Sequence, residues 1–137
     1  MAKSKSKIQF IDLPNRGDAR GFSFTVPTEA LKFLRTVADV HFASIKPGAV
    51  RGNHFHKKGR MAIVVLPGAK WSFHWDEREG AEPQHRVFDG SGAVLVLVAV
   101  GSSHAVRNDG RDGDLLWMTT IASEKYAATD RVARKVV

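Results

Sequence analysis

The sequence contains no cysteine, so neither a disulfide framework nor thiol chemistry is open to it. Long hydrophobic runs are also missing. The longest, Ala93 to Val100, falls far short of the about 20 residues a membrane-spanning helix needs. The stretch Met1 to Lys7 is charged and leads into no apolar segment with a cleavage site, so it does not read as a secretory signal. A cytoplasmic location is the default expectation. Acidic residues are in the minority, 14 against 21 lysines and arginines, for a formal net charge of +7. The excess gathers at Lys3, Lys5 and Lys7 and again at Arg131, Arg134 and Lys135. No aromatic-plus-basic RNA motif and no helix-turn-helix spacing accompanies it, which argues against nucleic acid as a partner. A basic rim that attracts an anionic small molecule fits better.

What remains is the make-up of one globular domain: 137 residues, 43% hydrophobic and 26% charged, enough for one core and not two. Residues 1–7 read as a basic tail and 8–137 as a single domain. Short β-type segments alternate with Pro-Gly and Asp-Gly punctuation. They cover Ile8–Leu13, Phe22–Val26, Val37–Ile45, Val50–His56, Met61–Leu66, Lys70–Trp75, Arg86–Phe88, Ala93–Val100, His104–Arg107 and Leu115–Ile121. Thr28–Leu34 reads as a short helix, capped by Thr28 and facing inward through Leu31 and Leu34. Ser123–Val137 is either a short helix or a tail packed on the barrel. So many short strands with one or two short helices predict an all-β sandwich or barrel.

The chemistry centres on histidine. His54 and His56 stand at i and i+2 on a predicted strand and share a face, because strand side chains alternate with a period of 2. His104 follows the longest apolar strand. Three neutral imidazoles suit a divalent transition metal such as Zn, Fe, Ni or Mn and leave coordination positions open. Arg51, Lys57, Lys58 and Arg60 bracket the pair and offer cations to a phosphate, or else form a solvated hairpin end. Arg20, beside Gly21, is a ligand contact or a turn residue. His74 faces either the barrel or solvent. Trp71, Phe73, Trp75 and Trp117 read as core, His41 and His85 as structural or surface residues, and Glu77 and Glu79 as loop.

Spacing carries a resemblance. Gly48, His54, His56 and Gly68 fall in the register of the first cupin motif, and Gly101, His104 and Asn108 in that of the second. The chain therefore resembles the cupins, which implies a double-stranded β-helix, or jelly-roll, barrel with a metal site at His54, His56 and His104. Met61 stands where cupins usually carry a glutamate, and Ala99 where the second motif has proline. Met61 reads as core filler, leaving a three-histidine site like that of the cupins resembling thiol dioxygenases. The run Arg51-Gly-Asn-His54-Phe-His56-Lys57-Lys58, with Asp18-Ala-Arg20-Gly21 before it, is similar to cupins that modify nucleotide sugars. Among these are the epimerase domain of capsular-polysaccharide reductases, the deoxysugar ketoisomerases and the dTDP-4-keto-sugar 3,5-epimerases. That likeness implies an epimerase or ketoisomerase in surface polysaccharide synthesis. Arg51, Lys57, Lys58 and Arg20 would then bind substrate, with His54 or His56 as base, Tyr126 as an unfixed candidate acid, and a homodimer paired through Ile8–Leu13. The alternatives are a three-histidine metal-dependent oxygenase and a non-enzymatic module that binds a small ligand.

Overall fold

The computed structural model describes residues 6–137; residues 1–5 of the expected tail lie outside the described residues. The strands are β1 (Ile8–Leu13), β2 (Asp39–Ile45), β3 (Val50–His56), β4 (Met61–Val65), β5 (Trp71–Trp75), β6 (Gln84–Phe88), β7 (Ala93–Val98), β8 (His104–Asn108), β9 (Leu116–Ala122) and β10 (Arg131–Ala133). A single helix among the described residues, α1 (Thr28–Leu34), follows β1. The strands form two antiparallel five-stranded sheets in the orders β1-β7-β4-β9-β2 and β10-β3-β8-β5-β6. These face each other as a jelly-roll barrel, the all-β cupin architecture.

The continuous apolar runs Met-Ala-Ile-Val-Val of β4 and Ala-Val-Leu-Val-Leu-Val of β7 follow from burial on two sides. Their inward residues Ile63, Val65, Val94 and Val96 join Trp71, Phe73, Val106 and Leu116 in the space between the sheets. Their outward residues Ala62, Val64, Leu95 and Leu97 lie under α1, against Ala30 and Leu34. A central strand covered on both faces loses the polar half of the alternation.

Four local expectations change. Phe22–Val26 is not a strand; the preceding turn is held by Asp18 and Gly21, which exchange backbone hydrogen bonds, and by Arg16 N–H donating to Ser23 O. Thr28 does not cap α1. Pro27 occupies the N-cap, where no side chain caps the helix, and its carbonyl accepts from the N–H groups of Ala30 and Leu31. Leu31 is 45% exposed because the helix seats Ala30 and Leu34, one turn apart, on the sheet. Trp117 points outward, since its neighbours Leu116 and Met118 take the inward positions of β9. Ser123–Val137 is the packed tail rather than a helix, and it contributes β10 to the second sheet.

One flank of the barrel is shut where β1 meets β6. Phe10 sits 5.5 Å from Phe88 and 5.6 Å from Phe73, and the Arg86 guanidinium lies 4.9 Å from the rings of both Phe10 and Phe88. At the opposite flank, residues of β2 and β10 line a cavity.

Candidate functional site

Strand β3 is irregular where the site is built. Its pairing with β8 runs Arg51↔Val106 and Gly52↔Ala105, then jumps to His54↔His104, leaving Asn53 as an extra residue. Gly52 (φ 121°) and Asn53 (φ 60°) absorb the bulge with left-handed backbone. Strict alternation would separate Arg51 from the two histidines. The inserted residue puts Arg51, His54 and His56 on one face, that of His104 and Val106. Gly52 is also needed for space, because a Cβ there would lie 2.4 Å from the His104 carbonyl oxygen. Asn53 is held in turn by the tail: its Oδ1 accepts from the N–H groups of Val136 and Val137, and its Nδ2 donates to Val137 O. Farther along the tail, Arg134 forks onto the buried Asp76 at 2.6 Å.

The three histidines converge on a cavity of about 860 Å³ between the sheets. Their candidate ligand nitrogens all lie within 4.8 Å of one another, and His54 stands 5.2 Å from His56 and 5.1 Å from His104 between ring centroids. Two of the rings have a nitrogen facing an oxygen: His56 Nδ1 is 3.4 Å from Asp130 Oδ2, and His104 Nδ1 is 3.3 Å from Ser102 O. A backbone carbonyl only accepts, so His104 Nδ1 carries the proton and its Nε2 presents a lone pair. His56 Nε2 is buried without a hydrogen-bond partner among the described residues. Burial, reinforced by the neighbouring histidine charges, lowers His104 to about 3. It lowers His54 to about 4, with His56 and Arg131 adding to the shift. Burial also lowers His56, against an opposing pull from Asp130. All three rings are therefore neutral at pH 7, the form that ligates a metal or accepts a proton.

The donor set fits a transition metal. A buried, unpartnered His56 Nε2 and outward contacts from His56 to Asp130 and from His104 to Ser102 form the kind of arrangement that orients metal-bound histidines. Met61 lines the same cavity with a soft, neutral sulfur, and among the described residues the mutually close ligand set consists of the three histidines alone, Asp130 standing behind His56.

The structure brings Arg51 to the cavity together with the three histidines. It does not bring Lys57, Lys58 or Arg20 there. The two lysines are exposed, while Arg20, its side chain 91% exposed and paired with Asp18 at 2.7 Å, lines a separate shallow groove. His74 turns away, with Nε2 2.8 Å from Ser72 Oγ and its ring stacked on His85. Glu77 is occupied elsewhere, accepting from Ser6 Oγ, the Lys7 N–H and Trp75 Nε1. His41 does line the cavity, as does Tyr126, whose hydroxyl accepts from Arg131 Nη2 at 3.1 Å. Sequence reasoning missed Asp130 and undervalued Arg131. Asp130 is fixed by the N–H groups of Lys58 and Gly59, and Arg131 faces His56 across the β10–β3 pairing. No motif spacing links them to histidines more than 70 positions earlier.

No family model and no curated protein matches this chain. Solved structures do match its fold. The 3'-monoepimerase ChmJ of Streptomyces bikiniensis, in complex with dTDP-quinovose, aligns with a TM-score of 0.76 at 20% identity, over 97% of this chain and 72% of that one. The dTDP-6-deoxy-D-glucose-3,5-epimerase RmlC of Legionella pneumophila, in complex with dTDP-4-keto-L-rhamnose, aligns with a TM-score of 0.72 at 16% identity, over 93% and 72%. The capsular polysaccharide assembling protein CapF of Staphylococcus aureus aligns with a TM-score of 0.65 at 21% identity, over 74% of this chain and 27% of that larger one.

Proposed function

We propose that this chain is an epimerase-type isomerase acting on a nucleotide-linked sugar, with His56 as the base and Asp130 as its charge partner. The observation that carries the reading is the His56–Asp130 pair, 3.4 Å apart, with His56 Nε2 buried and unpartnered on a cavity-lining residue. Epimerisation beside a ketone removes an acidic carbon-bound proton, which calls for a neutral imidazole in reach and a carboxylate to stabilise the imidazolium that forms. Return of a proton to the opposite face of the carbon inverts the centre. We assign that proton donation to Tyr126, a reading supported by its position in the cavity lining. Arg51 and Arg131 line the cavity and supply forked donors suited to a diphosphate. The fold shared with dTDP-sugar epimerases and with a capsular polysaccharide assembling protein supports both the substrate class and a place in surface polysaccharide synthesis.

A divalent metal, if bound, would be held by His54, His56 and His104 and would polarise the ketone oxygen; it would occupy the His56 Nε2 lone pair, so His56 serves as base only in the metal-free site. The three histidines, whose candidate ligand atoms lie within 4.8 Å of one another, also favour a second reading, a three-histidine metal centre of the oxygenase type. Elemental analysis of the purified protein separates the two, since the oxygenase reading requires iron and iron-dependent oxygen uptake.

The primary test is incubation with a dTDP-4-keto-6-deoxyhexose in D2O, read by mass spectrometry, alongside calorimetric titration with dTDP. The wild-type protein incorporates solvent deuterium beside the ketone and binds dTDP. His56→Asn and Asp130→Asn each slow exchange by about 10²–10⁴-fold, the usual share of general-base catalysis, while dTDP binding persists. Absence of both exchange and dTDP binding in the wild type would overturn the proposal.

A further inference from the structure

Between the end of β7 at Val98 and the start of β8 at His104 the chain belongs to no strand. No strand ladder therefore places Ser102 and Ser103, the two residues that lead into the third histidine. Asp76, just past β5, holds both. Its carbonyl accepts from Ser102 Oγ at 2.6 Å, its Oδ1 accepts from the Ser103 N–H at 3.0 Å, and its own N–H donates to Ser103 O. The two serines are fully buried and Asp76 is 3% exposed, all three standing outside the cavity lining. Ser102 O in turn faces His104 Nδ1 at 3.3 Å, the contact that fixes the tautomer of that ring.

Arg134 closes this arrangement from the other end of the chain. Its Nε and Nη2 fork onto Asp76 Oδ2 and Oδ1, each at 2.6 Å, while Nη2 also donates to Gly101 O at 2.7 Å. The Arg134 carbonyl accepts from Ser103 Oγ. Its guanidinium rests over the Phe55 ring, 4.4 Å from the centroid, and Phe55 separates His54 from His56 on the opposite face of β3. The Arg134 N–H donates at 2.9 Å to the carbonyl of Asn53, the bulge residue next to His54. One residue thus holds the strand of the first two histidines through its backbone and the lead-in of the third through its side chain.

We propose that Arg134 is a positioning residue for the histidine triad, a clamp on the outer side of the second sheet that sets where His104 stands relative to His54 and His56. The inference rests on reading the three histidines as the functional centre. Three bonds leave the planar guanidinium in fixed directions, two to one carboxylate and one to a carbonyl. An ammonium, with its donors on a single atom, does not reproduce that fork. A buried ion pair by itself adds little over apolar packing. This one directs its remaining hydrogen bonds to Gly101 and Ser103, which lead to His104. Loss of the fork frees Gly101, Ser102 and Ser103, so Ser102 O no longer holds His104 in one tautomer and the imidazole nitrogens lose their common spacing.

The test compares Arg134→Lys and, independently, Asp76→Asn with the wild type, using the full chain at neutral pH. Arg134→Lys keeps a positive charge opposite Asp76, and Asp76→Asn removes the carboxylate, so neither strands a buried anion. Leu34→Ala is the control, because it opens a cavity beneath α1 on the other sheet and lowers stability without touching the clamp. Long-range proton–nitrogen NMR spectra of the histidine rings read the tautomers. Wild-type His104 shows one fixed Nδ1–H form, and both clamp variants show averaged ring-nitrogen shifts. Cobalt(II) titration, followed by visible absorption, reads the triad. Both clamp variants bind about 10–100-fold more weakly, the effect of losing an outer contact to a metal-bound histidine, and Leu34→Ala binds as the wild type does. Histidine spectra like those of the wild type in both clamp variants overturn the proposal. So do equal changes in Leu34→Ala, which would make the effect one of general stability. A wild type that binds no cobalt removes the metal reading alone, and the ring spectra then uphold or overturn the clamp.

Discussion

Gly52→Ala is the substitution whose cost the structure specifies in two separable parts. Gly52 has φ 121°, and a Cβ there would lie 2.4 Å from the His104 carbonyl oxygen and 2.8 Å from the Ala105 Cα. The backbone conformation alone costs an L-residue about 1–2 kcal/mol. The contact is with backbone on the neighbouring strand, which no rotamer change relieves, so β3 must move away from β8 at an overpacking cost of about 1–3 kcal/mol. Gly48 supplies the control. It also has positive φ, 80°, but a Cβ there meets nothing within 4 Å, so Gly48→Ala carries the conformational cost only. Urea denaturation of both variants should show Gly52→Ala losing roughly 2–5 kcal/mol and Gly48→Ala about 1–2 kcal/mol. The displaced strand also separates His54 from His104, so metal or ligand affinity falls in Gly52→Ala and holds in Gly48→Ala. Equal losses of stability in the two variants would show that the close approach of β3 to β8 at the bulge is not as described.

Two further outcomes follow from buried charge. Arg134→Ala strands Asp76, which is 3% exposed and otherwise forked onto the guanidinium, and should cost about 3–5 kcal/mol; a loss below about 1 kcal/mol, the range of an exposed pair, would contradict the buried geometry. Acid should destabilise the fold through its histidines. His104 and His54 are lowered to about 3 and about 4 from 6.5, so between those values and 6.5 the unfolded chain binds more protons than the folded one. Stability then rises with pH across that window. The urea midpoint should be level above about pH 7, decline as the pH falls through 6.5 and keep declining to about pH 4. A midpoint unchanged over that range, or improved by replacing His104 with glutamine at neutral pH only, would refute the assignment.

The sequence by itself determined an all-β sandwich or barrel, which the resemblance to cupins narrowed to a jelly roll, and it pointed to the three histidines of the site. Gly-Pro punctuation between short apolar segments located nine of the ten strands to within about two residues, and His-x-His with a third histidine after the long apolar strand named the cluster. These are local signals, set by backbone preference and period. Tertiary structure decided the rest. Arg51 and His54 stand three apart, and sequence alternation puts them on opposite faces; only the Asn53 bulge, held by Val136 and Val137 from the far end of the chain, turns both into the cavity. Asp130 and Arg131 reach His56 because β10 pairs with β3, a contact between residues more than 70 positions apart that no spacing encodes. Lys57 and Lys58 are next to His56 in sequence yet outside the cavity, because the chain leaves the sheet there and their backbone turns around Asp130. Side-chain types and their period are written locally, whereas proximity across strands is set by which edges the whole core brings together.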